Sequence, residues 1–222
     1  MLFAILKRYV LTLILVIFSC SCFSQDATPS LQPLAASKEN VQILVLGDSL
    51  SAEFGIERGT GWVSLLEVKL GLAPRTGVIN ASISGETTSG GRSRLVALLA
   101  KYRPKVLVIE LGANDALRGL PIETSQANLD WMVSQAVASN SKVLIVGNLV
   151  PANYGAKFNK DLSTMYAQVA RKYKVGLVPF MLKGIADAPN AGALFQADQL
   201  HPLAQAHPTI LGNIWPELKK LI

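Results

Sequence analysis

The most informative stretch of this chain is Val41–Leu50, which reads VQILVLGDSL. Within it, Ile43–Leu46 is apolar at every position, a pattern typical of a strand buried on both faces of a parallel sheet. The predicted strand runs into Gly-Asp-Ser, which puts Ser49 at the edge where open α/β sheets bind their ligands. Taken alone, Gly-Asp-Ser is also ordinary turn chemistry. The stretch therefore predicts a strand and leaves the role of Ser49 open.

The rest of the chain repeats this alternation of strand and helix. The predicted strands are residues 41–47, 77–79, 105–111, 142–147 and 175–178. The predicted helices are residues 62–70, 92–102, 124–139, 158–173 and 202–221. Five alternations with short connections predict an α/β fold. We expect a three-layer α/β/α sandwich, in which helices cover both faces of a doubly wound, five-stranded parallel sheet.

Composition restricts the class of protein. The 222 residues are enough for one sizeable core, and 50% hydrophobic against 16% charged residues excludes a disordered chain. The formal net charge is +6, but Lys and Arg are scattered, with no block of like charge. This distribution indicates a solvated basic surface rather than a nucleic-acid-binding face. It is compatible with weak association with an anionic membrane surface.

The amino terminus has the pattern of a secretory leader. Two basic residues precede the apolar run Tyr9–Phe18, which is short for a membrane span and is followed by small residues. We expect a signal peptide over residues 1–24 and a periplasmic protein, with a retained membrane anchor or a lipoprotein as the alternatives. Residues 25–40 are rich in Ser, Pro, Ala and Gln and predict a flexible linker before one domain, residues 41–222.

Chemically reactive or polar residues follow three of the predicted strands. Ser49 follows the first, Gly85 the second and Asn114 the third, while Asp198 and His201 precede the last predicted helix. Because parallel strands end at one edge of the sheet, this edge gathers a hydroxyl, a close-approach glycine, a carboxamide and a histidine with a nearby aspartate. Acyl transfer requires such parts: a nucleophile, a base, a group that orients the base, and oxyanion donors.

No metal or cofactor site is expected. The chain has two histidines, no paired carboxylates at ligand spacing, and two cysteines, Cys20 and Cys22, that both lie within the predicted leader. The turn after the first strand also lacks the glycines and the lysine of a phosphate-binding loop.

Four motifs together resemble the blocks of the GDSL, or SGNH, hydrolase family. They are Gly47–Leu50 (GDSL), Asn80–Gly85 (NASISG), Gly112–Asp115 (GAND) and Asp198–His201 (DQLH), in the family's order and at its approximate spacing. Leu117–Gly119 (LRG) and Leu149–Gly155 (LVPANYG) add a closer resemblance, over about residues 41–220, to the bacterial periplasmic branch of thioesterase I/protease I/lysophospholipase L1 enzymes. The resemblance implies a flavodoxin-like fold and a serine esterase that hydrolyses acyl esters and thioesters through an acyl-enzyme intermediate.

The resemblance also implies a role for each site residue. Ser49 is expected to be the nucleophile, His201 the general base, and Asp198 the residue that fixes the tautomer of the His201 ring. The oxyanion hole is expected to comprise the Ser49 amide, Gly85 and Asn114.

Four neighbouring residues have weaker assignments. Asp48 and Asp115 are expected to brace the loops through hydrogen bonds. His207 is interpreted as a structural or surface residue because no carboxylate lies three residues before it. Glu53 stands where the branch usually has a smaller residue. We expect Glu53 to narrow the acyl entrance or to add charge there.

Two other functions are compatible with the same motifs. One is a carbohydrate O-deacetylase, since the same edge would accept an acetyl group on a sugar. The other is a non-catalytic module that binds lipid or another ligand. In every case the expected partner is a small molecule rather than nucleic acid, and the protein is expected to be a monomer.

Overall fold

The centre of the fold is a parallel sheet. The structure, a computed structural model, describes residues 42–71 and 77–222. Within these residues five strands are present: β1 (Ile43–Gly47), β2 (Val78–Asn80), β3 (Val106–Glu110), β4 (Lys142–Val146) and β5 (Gly176–Val178). All neighbouring pairs are parallel and the spatial order is β2-β1-β3-β4-β5. This order confirms the predicted doubly wound sheet.

Helices flank the sheet. They are α1 (Trp62–Lys69), α2 (Thr88–Tyr102), α3 (Ala113–Leu117), α4 (Ile122–Ala138), α5 (Ala156–Tyr173) and α6 (His207–Leu218). Three short 3-10 helices lie in the connections, at Ala152–Tyr154, Ala191–Leu194 and Ala204–Ala206.

Two hydrophobic cores explain why β1 is apolar at consecutive positions. Ile43 and Val45 pack with α1 and α6 on one face of the sheet, and Leu44 and Leu46 pack with α2, α4 and α5 on the other. All four side chains are fully buried, and burying each contributes about 1.5–3 kcal/mol. The chain therefore forms the predicted three-layer α/β/α sandwich.

The strand order also locates the candidate site. Connections leave β1 and β3 in opposite directions along the sheet, so a crevice opens between the carboxyl ends of these two strands. In the register of this pair, Gly47 at the end of β1 lies opposite Glu110 at the end of β3. The segments that carry Ser49 and Asn114 begin at this point.

Two helix boundaries differ from the prediction near the site. α2 begins at Thr88 rather than residue 92, because Thr87 accepts a hydrogen bond from the Gly90 N–H as an N-cap. The glycine at position 91, inside this helix, is required by packing: a Cβ there would lie 2.4 Å from Cδ1 of Leu111. The short helix α3 was not predicted at all.

The last helix begins later than predicted and ends earlier. It spans His207–Leu218 instead of residues 202–221. Pro202 instead forms an isolated antiparallel bridge with Phe195, and the Leu203 N–H donates to the Leu194 carbonyl. This pairing holds the chain extended until the 3-10 turn at Ala204–Ala206.

The predicted signal peptide (residues 1–24) and linker (residues 25–40) lie outside the described residues and stay predictions. In the two described segments, no helix is long and apolar enough to cross a bilayer.

Candidate active site

Ser49 lies in the turn after β1, at the carboxyl edge of the sheet. Residues 49–55 form consecutive turns. The Ser49 Oγ lies 2.8 Å from Nε2 of His201, a residue 152 positions further along the chain. A contact of this length allows the imidazole to take the hydroxyl proton as Oγ attacks an electrophile. The structure thus brings the predicted nucleophile and general base together.

Asp198 binds the other side of the His201 ring. Its Oδ2 lies 2.6 Å from Nδ1 of His201, and its Oδ1 accepts the backbone N–H groups of Leu200 and His201 over 2.9 and 3.0 Å. Burial acts to raise the pKa of Asp198, but the hydrogen bonds from Leu200 and His201 outweigh it and lower this pKa to about 2. Asp198 is therefore an anion at neutral pH and favours the tautomer with a proton on Nδ1.

The three predicted oxyanion donors have different surroundings. Asn114, on α3, lines the same cavity as Ser49, and its Nδ2 donates to Oδ2 of Asp48 over 2.9 Å. Gly85 has a φ of +77°, which favours glycine, and its carbonyl accepts Nη2 of Arg118 over 2.7 Å. Gly85 lies outside the lining of the cavity. Among the described residues, no acceptor takes the N–H of Ser49 or Gly85.

A cavity of about 550 Å³ opens beside Ser49. Its polar lining includes Ser49, Asn114 and His201. Apolar side chains form most of its wall, among them Leu50, Leu117, Val150, Phe180, Leu182 and Leu200. An apolar cavity with a few polar groups at one point is suited to an apolar substrate with one reactive polar bond.

Comparison with known proteins agrees with this arrangement. A model of the GDSL-like lipase/acylhydrolase family matches residues 45–208. The chain belongs to this family. The match spans all four motifs from which the resemblance was inferred, and it confirms that inference.

Individual relatives in the family cover most of the chain. It is 45% identical to esterase TesA of Pseudomonas aeruginosa, over 81% of this chain and 89% of that protein. It is 35% identical to thioesterase 1/protease 1/lysophospholipase L1 of Escherichia coli K12, over 81% of this chain and 84% of that protein. The solved crystal structure of TesA superposes with a TM-score of 0.75, at 44% identity over 82% of this chain and 99% of that chain.

Two residues that this GDSL-family chain places beside the triad were not anticipated from the sequence. The Phe54 ring packs against the His201 ring, with centroids 4.5 Å apart and planes tilted by 42°. Gln196 joins the two segments: its N–H donates to the His201 carbonyl over 2.7 Å, and its Nε2 donates to the Phe54 carbonyl over 2.9 Å. No local pattern signals these contacts, because Gln196 and Phe54 are 142 positions apart.

The expectation for Glu53 was wrong. Its side chain does not line the cavity but turns to the start of α1. The Glu53 Oε1 accepts the N–H groups of Gly59 and Gly61 over 3.1 and 2.8 Å, and the hydroxyl of Ser64 over 2.8 Å. These N–H groups lie just before α1, and the amino end of a helix favours an anion, which explains why this carboxylate points away from the cavity.

The structure confirms the supporting roles expected of the other three neighbours. Asp48 accepts the Leu50 N–H over 3.0 Å as well as Asn114 Nδ2. Asp115 accepts the N–H and the hydroxyl of Thr88 over 2.8 and 2.5 Å. His207 is buried away from the site, and its Nδ1 accepts the Trp62 N–H over 3.0 Å.

Proposed function

We propose that this protein is a serine esterase that hydrolyses acyl esters and thioesters through an acyl-enzyme intermediate. The observation that carries the proposal is the continuous chain of contacts from Ser49 Oγ to His201, 2.8 Å, and from His201 to Asp198, 2.6 Å. A hydroxyl, an imidazole and a carboxylate in this order form the constellation of acyl-transfer enzymes.

The proposed reaction has two halves. In the first, Ser49 Oγ attacks the acyl carbonyl carbon, and His201 Nε2 takes the hydroxyl proton and passes it to the leaving alcohol or thiol. In the second, His201 takes a proton from a water molecule that attacks the acyl-Ser49 ester, and returns it to Oγ as the carboxylic acid leaves. Asp198 stabilises the imidazolium that forms in each half, because it stays ionised.

The charge that develops on the carbonyl oxygen needs donors. We assign them to the N–H groups of Ser49 and Gly85 and to the Asn114 amide. The Asn114 Nδ2 carries two hydrogens and gives one to Asp48, so the second is left for the oxyanion. Removing one such donor typically costs about 2.7–4 kcal/mol in the transition state.

The apolar cavity supports an acyl chain as the part of the substrate that is bound. Its volume of about 550 Å³ is much larger than an acetyl group needs, which favours esterase activity over O-deacetylation of a sugar. The names of the relatives, esterase and thioesterase 1/protease 1/lysophospholipase L1, support acyl esters and thioesters as the substrate class. A non-catalytic binding module would not need Ser49 hydrogen-bonded to a histidine.

The test is the Ser49→Ala variant. Its kcat for p-nitrophenyl butyrate should fall by at least about 10⁴-fold, because the triad acts as a unit. Ser93→Ala, which removes an exposed hydroxyl on α2, is the matched control and should keep the rate of the unaltered protein. An active Ser49→Ala protein would refute the proposal.

The chain length of the substrate separates the esterase from the deacetylase. In the same assay with acetyl to octanoyl esters, a sharp loss of activity beyond the acetyl ester would indicate a deacetylase instead.

A further inference from the structure

A buried carboxyl lies directly behind the Ser49 turn and has no part in the mechanism above. Glu110 is the last residue of β3, and only 1% of it is exposed. Burying a carboxyl is costly unless it is hydrogen-bonded, so its bonds indicate what it does. The Glu110 Oε2 accepts the Ser51 hydroxyl over 2.8 Å and the Asp48 N–H over 3.2 Å. These two partners bracket Ser49 in the chain, so Glu110 anchors the turn from both sides.

The first glycine of the GDSL motif, Gly47, is explained by this anchor. A Cβ on Gly47 would lie 2.9 Å from Glu110 Oε2 and 2.8 Å from Ser51 Oγ, closer than such atoms can approach. The register of β1 against β3 brings Gly47 opposite Glu110. The small residue at position 47 thus makes room for the Glu110 carboxyl beneath the turn.

Glu110 also bonds to Asp48, which holds an oxyanion donor. The Glu110 Oε2 accepts the Asp48 N–H over 3.2 Å, and the two carboxyls also interact electrically, since the charge of Asp48 raises the pKa of Glu110. Asp48 in turn accepts Asn114 Nδ2 over 2.9 Å and the Leu50 N–H over 3.0 Å. A continuous chain of hydrogen bonds therefore runs from Glu110 through Asp48 to Asn114.

The two carboxyls of this pair both have raised pKa values. Burial, and then the charge of Asp48, raise the pKa of Glu110 well above its ordinary value. Burial raises the pKa of Asp48 to about 6, against the lowering effect of the Leu50 N–H and of the hydrogen bond from Glu110. Glu110 therefore holds its proton more tightly than Asp48 does, since two adjacent carboxyls do not both ionise readily.

We propose that Glu110 is a positioning residue, which acts through Asp48 to hold the Asn114 amide and the Ser49 turn in place for the oxyanion. A carboxylate can accept but not donate, so Asp48 determines which atom of the Asn114 amide faces it. Donors fixed in advance stabilise the developing charge without reorganisation. The inference rests on the proposed function and adds a residue that does not touch substrate.

The test compares two substitutions at position 110. Glu110→Gln conserves the shape of the side chain. Its Oε1 accepts the Ser51 hydroxyl and the Asp48 N–H, and its Nε2–H donates to the Asp48 carboxylate as a protonated Glu110 would. Glu110→Leu removes all of them. We expect Glu110→Leu to lower kcat for p-nitrophenyl butyrate by about 10- to 100-fold, while KM stays within about threefold of that of the unaltered protein. The loss of kcat is smaller than for a deleted oxyanion donor, because the donor is misplaced rather than removed. Glu110→Gln should restore most of that loss.

The control separates positioning from general destabilisation. Ser141→Ala removes a buried hydrogen bond to the Pro104 carbonyl, and it lies at the opposite edge of the sheet. Its kcat should be that of the unaltered protein even if its melting temperature falls as far as that of Glu110→Leu.

If Glu110→Leu does not fold, Asp48→Asn replaces it as the test variant. A neutral amide presents one oxygen where the carboxylate presents two, so kcat should again fall without a rise in KM.

Three results would overturn the inference: an unchanged kcat in both Glu110→Leu and Asp48→Asn, a loss confined to KM, or a Glu110→Gln protein as slow as Glu110→Leu. None of them affects the proposed function, which is tested separately by the Ser49→Ala protein and by the series of acyl esters. The two failures are therefore distinguishable in one set of assays.

Discussion

The Phe54 ring covers one side of the His201 imidazole. In the proposed mechanism this imidazole becomes a cation as the ester is attacked, and the face of an aromatic ring attracts a cation. Phe54 is itself 47% exposed, so packing of the core does not require an aromatic side chain there. Its contact with His201 is the physical reason for its position.

We predict that Phe54→Leu lowers kcat/KM for p-nitrophenyl butyrate by about 2- to 10-fold, since an aromatic pair contributes about 0.5–1.5 kcal/mol beyond its buried area. Phe54→Tyr keeps the ring and should retain the rate of the unaltered protein. The control is Val68→Ala, which shortens an exposed apolar side chain on α1, away from His201. Equal rates for the Leu and Tyr variants would show that the ring contributes nothing.

Among the elements, α5 fixes one wall of the cavity. Its Asn159 accepts the Val150 N–H over 2.9 Å and donates to the Val150 carbonyl over 2.8 Å, so one side chain pairs both backbone groups of Val150. Val150 belongs to the connection after β4 and lines the cavity. The position of this wall therefore depends on a helix that has no residue in the triad.

We predict that Asn159→Ala raises KM for an octanoyl ester by about 2- to 10-fold more than KM for an acetyl ester. Each of the two hydrogen bonds that are lost stabilises the position of Val150 by about 0.5–1.5 kcal/mol. Only the longer chain extends along the loosened wall. The measurement is the ratio of the two KM values. Asp161→Ala, which breaks an exposed ion pair with Lys157 on the same helix, is the control. An unchanged ratio would mean that this wall does not bind the acyl chain.

For the whole molecule, the buried Asp48–Glu110 pair links stability to pH. Both carboxyls have raised pKa values, to about 6 for Asp48 and well above the ordinary value for Glu110. Above an ordinary carboxyl pKa of about 4, the unfolded chain has released protons that the folded protein still holds. The free energy of unfolding therefore decreases as pH rises through this range, which is the cost of keeping the pair in the core.

We predict that Glu110→Gln weakens this dependence, because glutamine does not titrate. Between about pH 5 and pH 8 its free energy of unfolding should fall by less than that of the unaltered protein. Urea unfolding at the two pH values measures the difference, and the titratable groups common to both proteins cancel. Parallel decreases in the two proteins would show that Glu110 is already ionised at the lower pH.

Much of the architecture could be read from local patterns. The apolar run at Ile43–Leu46 predicted a strand buried on both faces, and the two cores confirm it. Helix starts were predicted less well, because they depend on partners beyond the helix itself. Thr87 caps α2 before its apolar stripe begins, and Pro202 pairs with Phe195 instead of starting α6.

The residue types of the candidate site could likewise be named from four short motifs, since each motif follows a strand and parallel strands end at one edge. The contacts that surround them could not be derived in this way. Glu110 lies 62 positions from Asp48, and Gln196 lies 142 positions from Phe54. Local pattern specifies which face of an element is buried, but the register between strands and the packing between loops specify which polar groups meet. Folding therefore adds the Glu110 anchor beneath Ser49 and the Phe54 ring over His201.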